Sequence, residues 1–319
     1  MLSRSQTRVP STVFRWFAFA AFLSMILIVA SGAAVRLTGS GLGCPDWPTC
    51  FKHQLIGQLG IHSTIEYANR AITGILIVVT GLTFIASLLR SPRRSDLIWL
   101  SGGLVAGVVA DALLGALVVY SKLNPWLVSL HLLLSLAMVV IGAVLYHRSK
   151  YLYGPGTRAD VRDRHFLLVA RLLWIPFFAV LVAGTMTTGS GPHSGSSQGQ
   201  LTAKRLPFAF SSAAWVHSVL AMFFVAIIIG LLVAIWNGNT PKPLQLGVRR
   251  LAVIGLLQAA IGFSQYWLHV PAARGELHVI GAVSLTIGVT QFHLRQTAHD
   301  REPGIKSPAA PTPATVGAH

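Results

Sequence analysis

The chain has 319 residues, of which 53% are hydrophobic and only 11% charged, far from the roughly 25% of charged residues in a soluble domain. That balance excludes an ordinary water-soluble fold and places the chain in a bilayer. The formal net charge is +16, but the basic residues are spread over separate inter-span segments rather than one tract or face, so a nucleic-acid partner is excluded too.

Apolar stretches of about 20 residues, enough to cross the hydrocarbon core as helices, begin near Val13, Ile65, Leu97, Pro125, Phe166, Ala213, Leu246 and Glu276. All eight are predicted helical, because an open strand in lipid leaves its backbone groups unpaired. The first, Phe14 to Val35, follows basic residues and closes on Ser31, Gly32, Ala33 and Ala34. Its apolar run exceeds the roughly 7 to 15 residues of a signal sequence, so it is expected to be a mature span. Seventeen Lys and Arg residues lie in the two tails and the even-numbered loops, against five in the odd-numbered loops. The positive-inside rule then predicts a multi-pass membrane protein with both termini cytoplasmic. The tail from Glu302 to His319, rich in Pro, Ala and Thr, is expected to be disordered.

Thr-Gly-Ser-Gly occurs at 38–41 and again at 188–191, each time after an apolar span. Ile61-His62-Ser63 resembles Val216-His217-Ser218 at an offset of 155. Asp111, Gly115 and His131 match Gln258, Gly262 and His278 at an offset of 147, with Tyr120 and Tyr266 close behind. The shared order predicts a duplicated four-helix unit. With an even number of spans per unit the repeat is parallel, and its pseudo-two-fold axis runs along the membrane normal. The expected fold is all-α: eight transmembrane helices in two tandem pseudo-symmetric four-helix bundles. Residues 1–12 form a cytoplasmic tail, 13–147 the first bundle, 148–165 a cytoplasmic linker, 166–296 the second bundle and 297–319 the disordered tail.

The repeat puts His62 and His217 near the outer ends of spans two and six, and His131 and His278 near the outer ends of spans four and eight. Ionisable groups inside membrane helices are costly and mark function. Two imidazoles from facing helices of a bundle suit the two faces of one haem, so two haem sites are predicted. A core histidine bonded to a carbonyl is the plainer reading of any single one. His53, His147, His165, His193, His269, His293 and His299 fall in loops or at interfaces and are expected to be solvated.

The halves differ around the first pair. Glu66 lies one turn beyond His62 on the same helix face, with Arg70 another turn along; the second half has Met222 and apolar neighbours there. A carboxylate beside a haem ligand acts as a base or stabilises cationic charge on a substrate; a Glu66–Arg70 salt bridge is the other reading, and the two are compatible. Asp111, opposite Gln258 in the repeat, suits a bond between helices, with a proton relay as the second reading. Arg36 and Arg70, at the outer membrane boundary, are candidates for haem propionates or simply snorkel. Cys44 and Cys50, the only two cysteines, share the first outer loop, where a structural disulfide or a redox-active pair would fit. No His pair at finger spacing accompanies them, which argues against zinc.

Val35-Arg36-Leu37-Thr38-Gly39-Ser40-Gly41, the Cys44 to Cys50 loop, Ile65-Glu66-Tyr67, Val118-Val119-Tyr120-Ser121-Lys122-Leu123 leading to His131, and the His217 and His278 pair together resemble the haem A synthase family, over nearly all of Phe14 to Arg295. The resemblance implies an eight-helix tandem bundle and an oxidoreductase. Its reaction hydroxylates the C8 methyl of haem O in succession to a formyl group, giving haem A for cytochrome oxidase. It implies haem b, with its iron, on His217 and His278, and the substrate haem at His131, with Glu66 catalytic and Cys44 and Cys50 as an outer-face disulfide. The partners implied are haem O, a haem O synthase, an electron-transfer partner and the lipid bilayer, while a homo-oligomeric state stays open. One departure stands out. The better-known members of that family carry a histidine three residues after the glutamate, where this chain has Asn69, and His62 instead precedes Glu66 by four. Positions 62 and 69 are about 10 Å apart along a helix axis, so His62 replaces that ligand only if the haem sits higher. The Glu-Tyr-Ala-Asn-Arg form resembles an actinobacterial variant. The competing readings are a quinol-linked di-haem b-type electron carrier, which has no use for Glu66 or the cysteine loop, and a haem or metal transporter.

Overall fold

A computed structural model describes residues 8–44, 46–51, 60–151, 164–196, 203–237 and 240–296. Residues 1–7 of the expected N-terminal tail, most of the expected linker, the tail 297–319, and His53 and His299 lie outside the described residues. The helices are α1 (Ser11–Leu37), α2 (Ile61–Leu89), α3 (Ser95–Tyr120), α4 (Pro125–Ser149), α5 (Arg164–Leu172), α6 (Trp174–Ser190), α7 (Phe210–Asn237), α8 (Lys242–Trp267) and α9 (Ala272–Leu294). Helices α5 and α6 make one span, Arg164–Ser190, so eight helical spans are long and apolar enough to cross a membrane. Each begins within about one turn of the predicted residue.

Proline chemistry sets several boundaries. Pro125 opens α4 behind Asn124, whose side chain caps the helix by accepting from the Trp126 N–H at 3.0 Å, an arrangement in which the missing proline N–H costs nothing. The break at Leu173 between α5 and α6 has the opposite origin. Pro176 has no N–H to give the carbonyl of Leu172 four residues back, and the helix is interrupted there.

Helix α1 packs on α2 and α4, and α3 packs on the same two helices, closing a four-helix bundle around Phe14, Ala18, Met25, Leu104 and Val139. In the second half α6 packs on α7, α7 on α8 and α8 on α9, around Phe177, Phe224, Ile228, Leu251 and Phe292. Helix α9 lies against α1 and α4, and α6 against α4, which joins the halves. Trp99, Trp215, Trp236 and Ile175 point outward, as expected where the surrounding solvent is lipid.

The α3–α4 and α8–α9 connections share one build at the repeat offset of 147. Lys122 and Leu123 in the first, and His269 and Val270 in the second, all take positive φ between 56° and 60°. The Leu123 N–H donates to Val118 at 2.8 Å and the Val270 N–H to Gln265 at 2.9 Å. At the opposite end of the first bundle, Arg94 forks onto Asp96 and donates to the carbonyls of Arg148 and Tyr151 at 3.0 and 2.7 Å. A two-residue parallel pairing of β1 (Val9–Pro10) with β2 (Arg90–Ser91) closes that end.

Candidate haem sites and the buried carboxylate

His217 is on the third turn of α7 and His278 on the second turn of α9. Their ring centroids are 6.1 Å apart with the planes at 80°. Two imidazoles bound on opposite sides of one first-row metal, at about 2 Å each, hold their ring centres roughly 6 Å apart once the ring radii are added, so the pair fits a haem iron. His217 Nδ1 lies 3.1 Å from the carbonyl of Val180. A carbonyl only accepts, so Nδ1 carries the hydrogen and Nε2 keeps its lone pair for a metal. His278 Nδ1 lies 3.2 Å from the Gln258 amide nitrogen, while Gln258 Oε1 is buried without a partner. The same amide nitrogen donates to the backbone carbonyl of His278 at 2.9 Å, which fixes the amide's orientation, so the side chain presents its N–H to this ring.

Each ring rests against a glycine of the neighbouring helix. A Cβ at Gly184 would lie 3.1 Å from His217 Cε1, one at Gly262 3.2 Å from His278 Cε1, and one at Gly115 3.4 Å from His131 Cε1. These glycines let imidazoles approach helix backbones where any larger residue would push the ring away.

The first half is built differently. His131 Nδ1 is 2.8 Å from Asp111 Oδ1, and Asp111 Oδ2 accepts from Ser135 Oγ at 2.5 Å. His62 sits at the first turn of α2, where its Nδ1 is 3.0 Å from Ser40 Oγ and its backbone is so close to the preceding loop that a Cβ at Gly43 would come within 2.6 Å of it. Among the described residues His62 and His131 make no ring contact like that of His217 and His278. Asn69, at the position of the family histidine, accepts from Ser31 Oγ at 2.7 Å.

Glu66 is only 4% exposed. Its Oε2 accepts from the Cys44 N–H at 2.8 Å and its Oε1 from Arg70 Nη2 at 2.6 Å. Arg70 then reaches into the loop, donating to the carbonyls of Asp46 at 2.5 Å, Thr49 at 2.9 Å and Cys44 at 3.3 Å. The loop is closed by the Cys44–Cys50 disulfide, both cysteines being fully buried, and Tyr120 holds it from α3 through a bond to Trp47 O at 3.2 Å. The expected salt bridge and the expected disulfide are therefore parts of one cluster. Both terminal nitrogens of Arg70 are engaged with protein groups, an arrangement different from the expected propionate contact. Arg36 Nη2 donates to Thr188 O at 3.0 Å and the Gly41 N–H to Gly195 O at 2.8 Å, so segments that carry the repeated tetrapeptide tie the two halves together. Gly195, at φ 98°, takes a left-handed conformation that favours glycine.

The cluster contains groups that single-residue reading misses: the Cys44 amide, Ser40, Ser135 and the three glycines. Gly115 and Gly262 were visible in the repeat; the Cys44 amide carries no side-chain signal. His193, expected to be solvated, is half-buried with Nε2 2.8 Å from Val270 O, because the loop after α6 folds onto the α8–α9 turn. Among the described residues no group of three or more His, Cys, Asp or Glu side chains converges as a metal site.

Eight membrane helices that bring imidazoles to one end, beside a carboxylate buried under a disulfide loop, define an integral membrane protein of the haem-handling class. The chain belongs to the COX15-CtaA family of cytochrome oxidase assembly proteins, whose family pattern matches residues 15–59 and 57–290. It is 26% identical over 254 residues to the heme A synthase of Bacillus pumilus (strain SAFR-032), covering 75% of this chain and 80% of that one. It is 24% identical over 295 residues to the heme A synthase of Staphylococcus saprophyticus, covering 88% and 94%. A shorter match, 32% identical over 108 residues, covers a third of both this chain and the heme A synthase of Geobacillus kaustophilus.

Proposed function

We propose that this protein is a haem A synthase, a membrane oxidoreductase that converts the C8 methyl of haem O to the formyl group of haem A by successive hydroxylation, water being lost from the resulting gem-diol. Family membership and the relatives' names support the reaction. The observation that carries it to this chain is Glu66, a carboxylate buried in a membrane helix one turn beyond His62, where the second half has apolar residues beyond His217. Such a group is retained at a cost of several kcal/mol only when it has work to do.

The residues divide by half. His217 and His278 hold a resident haem b; their ring separation and the free Nε2 of His217 support that assignment. His131 binds the substrate haem. Glu66, oriented by Arg70 and the Cys44 amide, presents a fixed negative group where positive charge develops on the methyl carbon or a proton leaves it. His62 is the remaining candidate for the opposite face of the substrate haem, in place of Asn69. Each hydroxylation takes its oxygen from water and releases two protons and two electrons, the electrons passing to an electron-transfer partner; a bound haem would supply the redox chemistry. Haem O reaches the site from the lipid phase, delivered by a haem O synthase, and its farnesyl tail suits an entry between membrane helices. The excess of Lys and Arg in the tails and even-numbered loops supports cytoplasmic termini in a bacterial plasma membrane.

The test is expression with a haem O synthase in a host that makes no haem A, followed by extraction and chromatography of the haems with mass detection. Haem A is the expected product. A preparation loaded with haem b that leaves haem O unchanged in the presence of a competent electron partner would point to a di-haem electron carrier instead.

A further inference from the structure

Asp111 is an acidic residue in mid-α3 with its side chain 15% exposed, and among the described residues it has no Lys or Arg partner. Its Oδ2 is taken by Ser135. Its Oδ1 lies 2.8 Å from His131 Nδ1, and neither of these two buried atoms has another partner. The two atoms are within hydrogen-bonding distance, although the ring N–H does not point along the line between them. The second half repeats this arrangement at one offset: Gly115 and Gly262 under the two rings, His131 and His278 as the rings, Asp111 and Gln258 against their Nδ1 atoms. Within this shared frame the atom set against Nδ1 differs, a carboxylate oxygen of Asp111 in one half and the amide nitrogen of Gln258 in the other. His131 faces a carboxylate, and His278 faces a neutral amide.

An acceptor on Nδ1 fixes the tautomer and orientation of a ligating histidine and raises its basicity, and a carboxylate does so more strongly than an amide. We infer that Asp111 is a positioning residue for the substrate-side haem: it directs Nε2 of His131 to the iron and makes that imidazole a stronger electron donor than His278. The consequence is a lower reduction potential for the first-half haem than its ligand set alone would give, so that its iron gives up an electron more readily. This rests on the reading of His131 as a haem ligand. It gives Asp111 a role other than a bond between helices.

The test is a spectroelectrochemical titration of the purified, haem-loaded full chain, following the two haems separately. Asp111→Asn is nearly isosteric and keeps an acceptor oxygen. It is expected to shift the midpoint of the first-half haem upward and leave the second unmoved, with Asp111→Glu restoring part of the shift. Gln258→Glu is the reciprocal variant and is expected to shift the haem at His278 downward. Where Asp111→Asn does not accumulate, Gln258→Glu decides alone. Unmoved potentials with haem content retained would overturn the role of Asp111 and leave the haem sites standing. A wild-type chain that binds no haem through His131 would overturn the ligand assignment and this inference with it, and it is recognised by haem stoichiometry before any potential is read.

Discussion

Replacing Arg70 by alanine separates two uses of its guanidinium, holding the loop and holding a haem propionate. In the structure Arg70 donates to Glu66 at 2.6 Å and to four loop carbonyls at 2.5, 2.9, 3.3 and 3.5 Å. Glu66 is 4% exposed and keeps backbone N–H groups of the loop, those of Cys44 and Gly43, but no countercharge once Arg70 is gone. Removing one member of a buried ion pair costs about 3 to 5 kcal/mol, because the remaining charge is left uncompensated. Arg70 is itself 14% exposed, so water reaches part of the vacated space and the lower end, about 3 kcal/mol, is expected. Glu66→Gln in the Arg70→Ala background removes the stranded charge and should recover most of the loss, a coupling of about 2 kcal/mol. The assay is denaturant unfolding in mixed micelles, read by helical circular dichroism, on both single variants and the double. Stability of Arg70→Ala within about 0.5 kcal/mol of wild type, together with a selective loss of bound haem O, would refute the loop reading and restore the propionate one.

Two further predictions concern the same end of the molecule. Gly184→Ala and Gly262→Ala each bring a Cβ to 3.1 or 3.2 Å from an imidazole carbon and should lower the haem b retained per chain with helix content unchanged, measured by pyridine haemochrome. Gly230→Ala, which meets nothing within 4 Å, should keep its haem and gain up to about 1 kcal/mol of helix stability. Replacing Cys44 and Cys50 together by serine releases a short closed loop, worth about 2 kcal/mol by chain entropy, and loosens the Cys44 N–H from Glu66. The double variant should melt lower and form haem A more slowly, and an unchanged melting temperature would contradict the clamp.

The membrane helices were legible because lipid leaves the chain few options: length and apolarity fix each span, and the sequence starts agree with the structure to about one turn. The break at Leu173 was foreshadowed by Pro176, but hydropathy averages across it. Of the site, what lies on one helix face was readable, since Glu66 and Arg70 meet at i, i+4 whatever the tertiary fold does. The two cysteines pair within their own loop, also a local event. What stayed hidden depends on how a loop lies over a helix. Nothing in the residue types says that the Cys44 amide points at Glu66, that Arg70 turns toward loop carbonyls, or that His62 meets Ser40. Asp111 was visible as an anomaly in an apolar helix, but its direction toward His131 follows from how α3 packs on α4.

The central claim is that the two halves hold different haems for different purposes. The most direct measurement is the haem inventory of purified His131→Ala and His278→Ala chains, each made with a haem O source and analysed by mass-detected chromatography. The account predicts that His131→Ala keeps haem b and loses haem O and haem A, while His278→Ala loses haem b and still carries haem O. Loss of the same haem from both variants would contradict it.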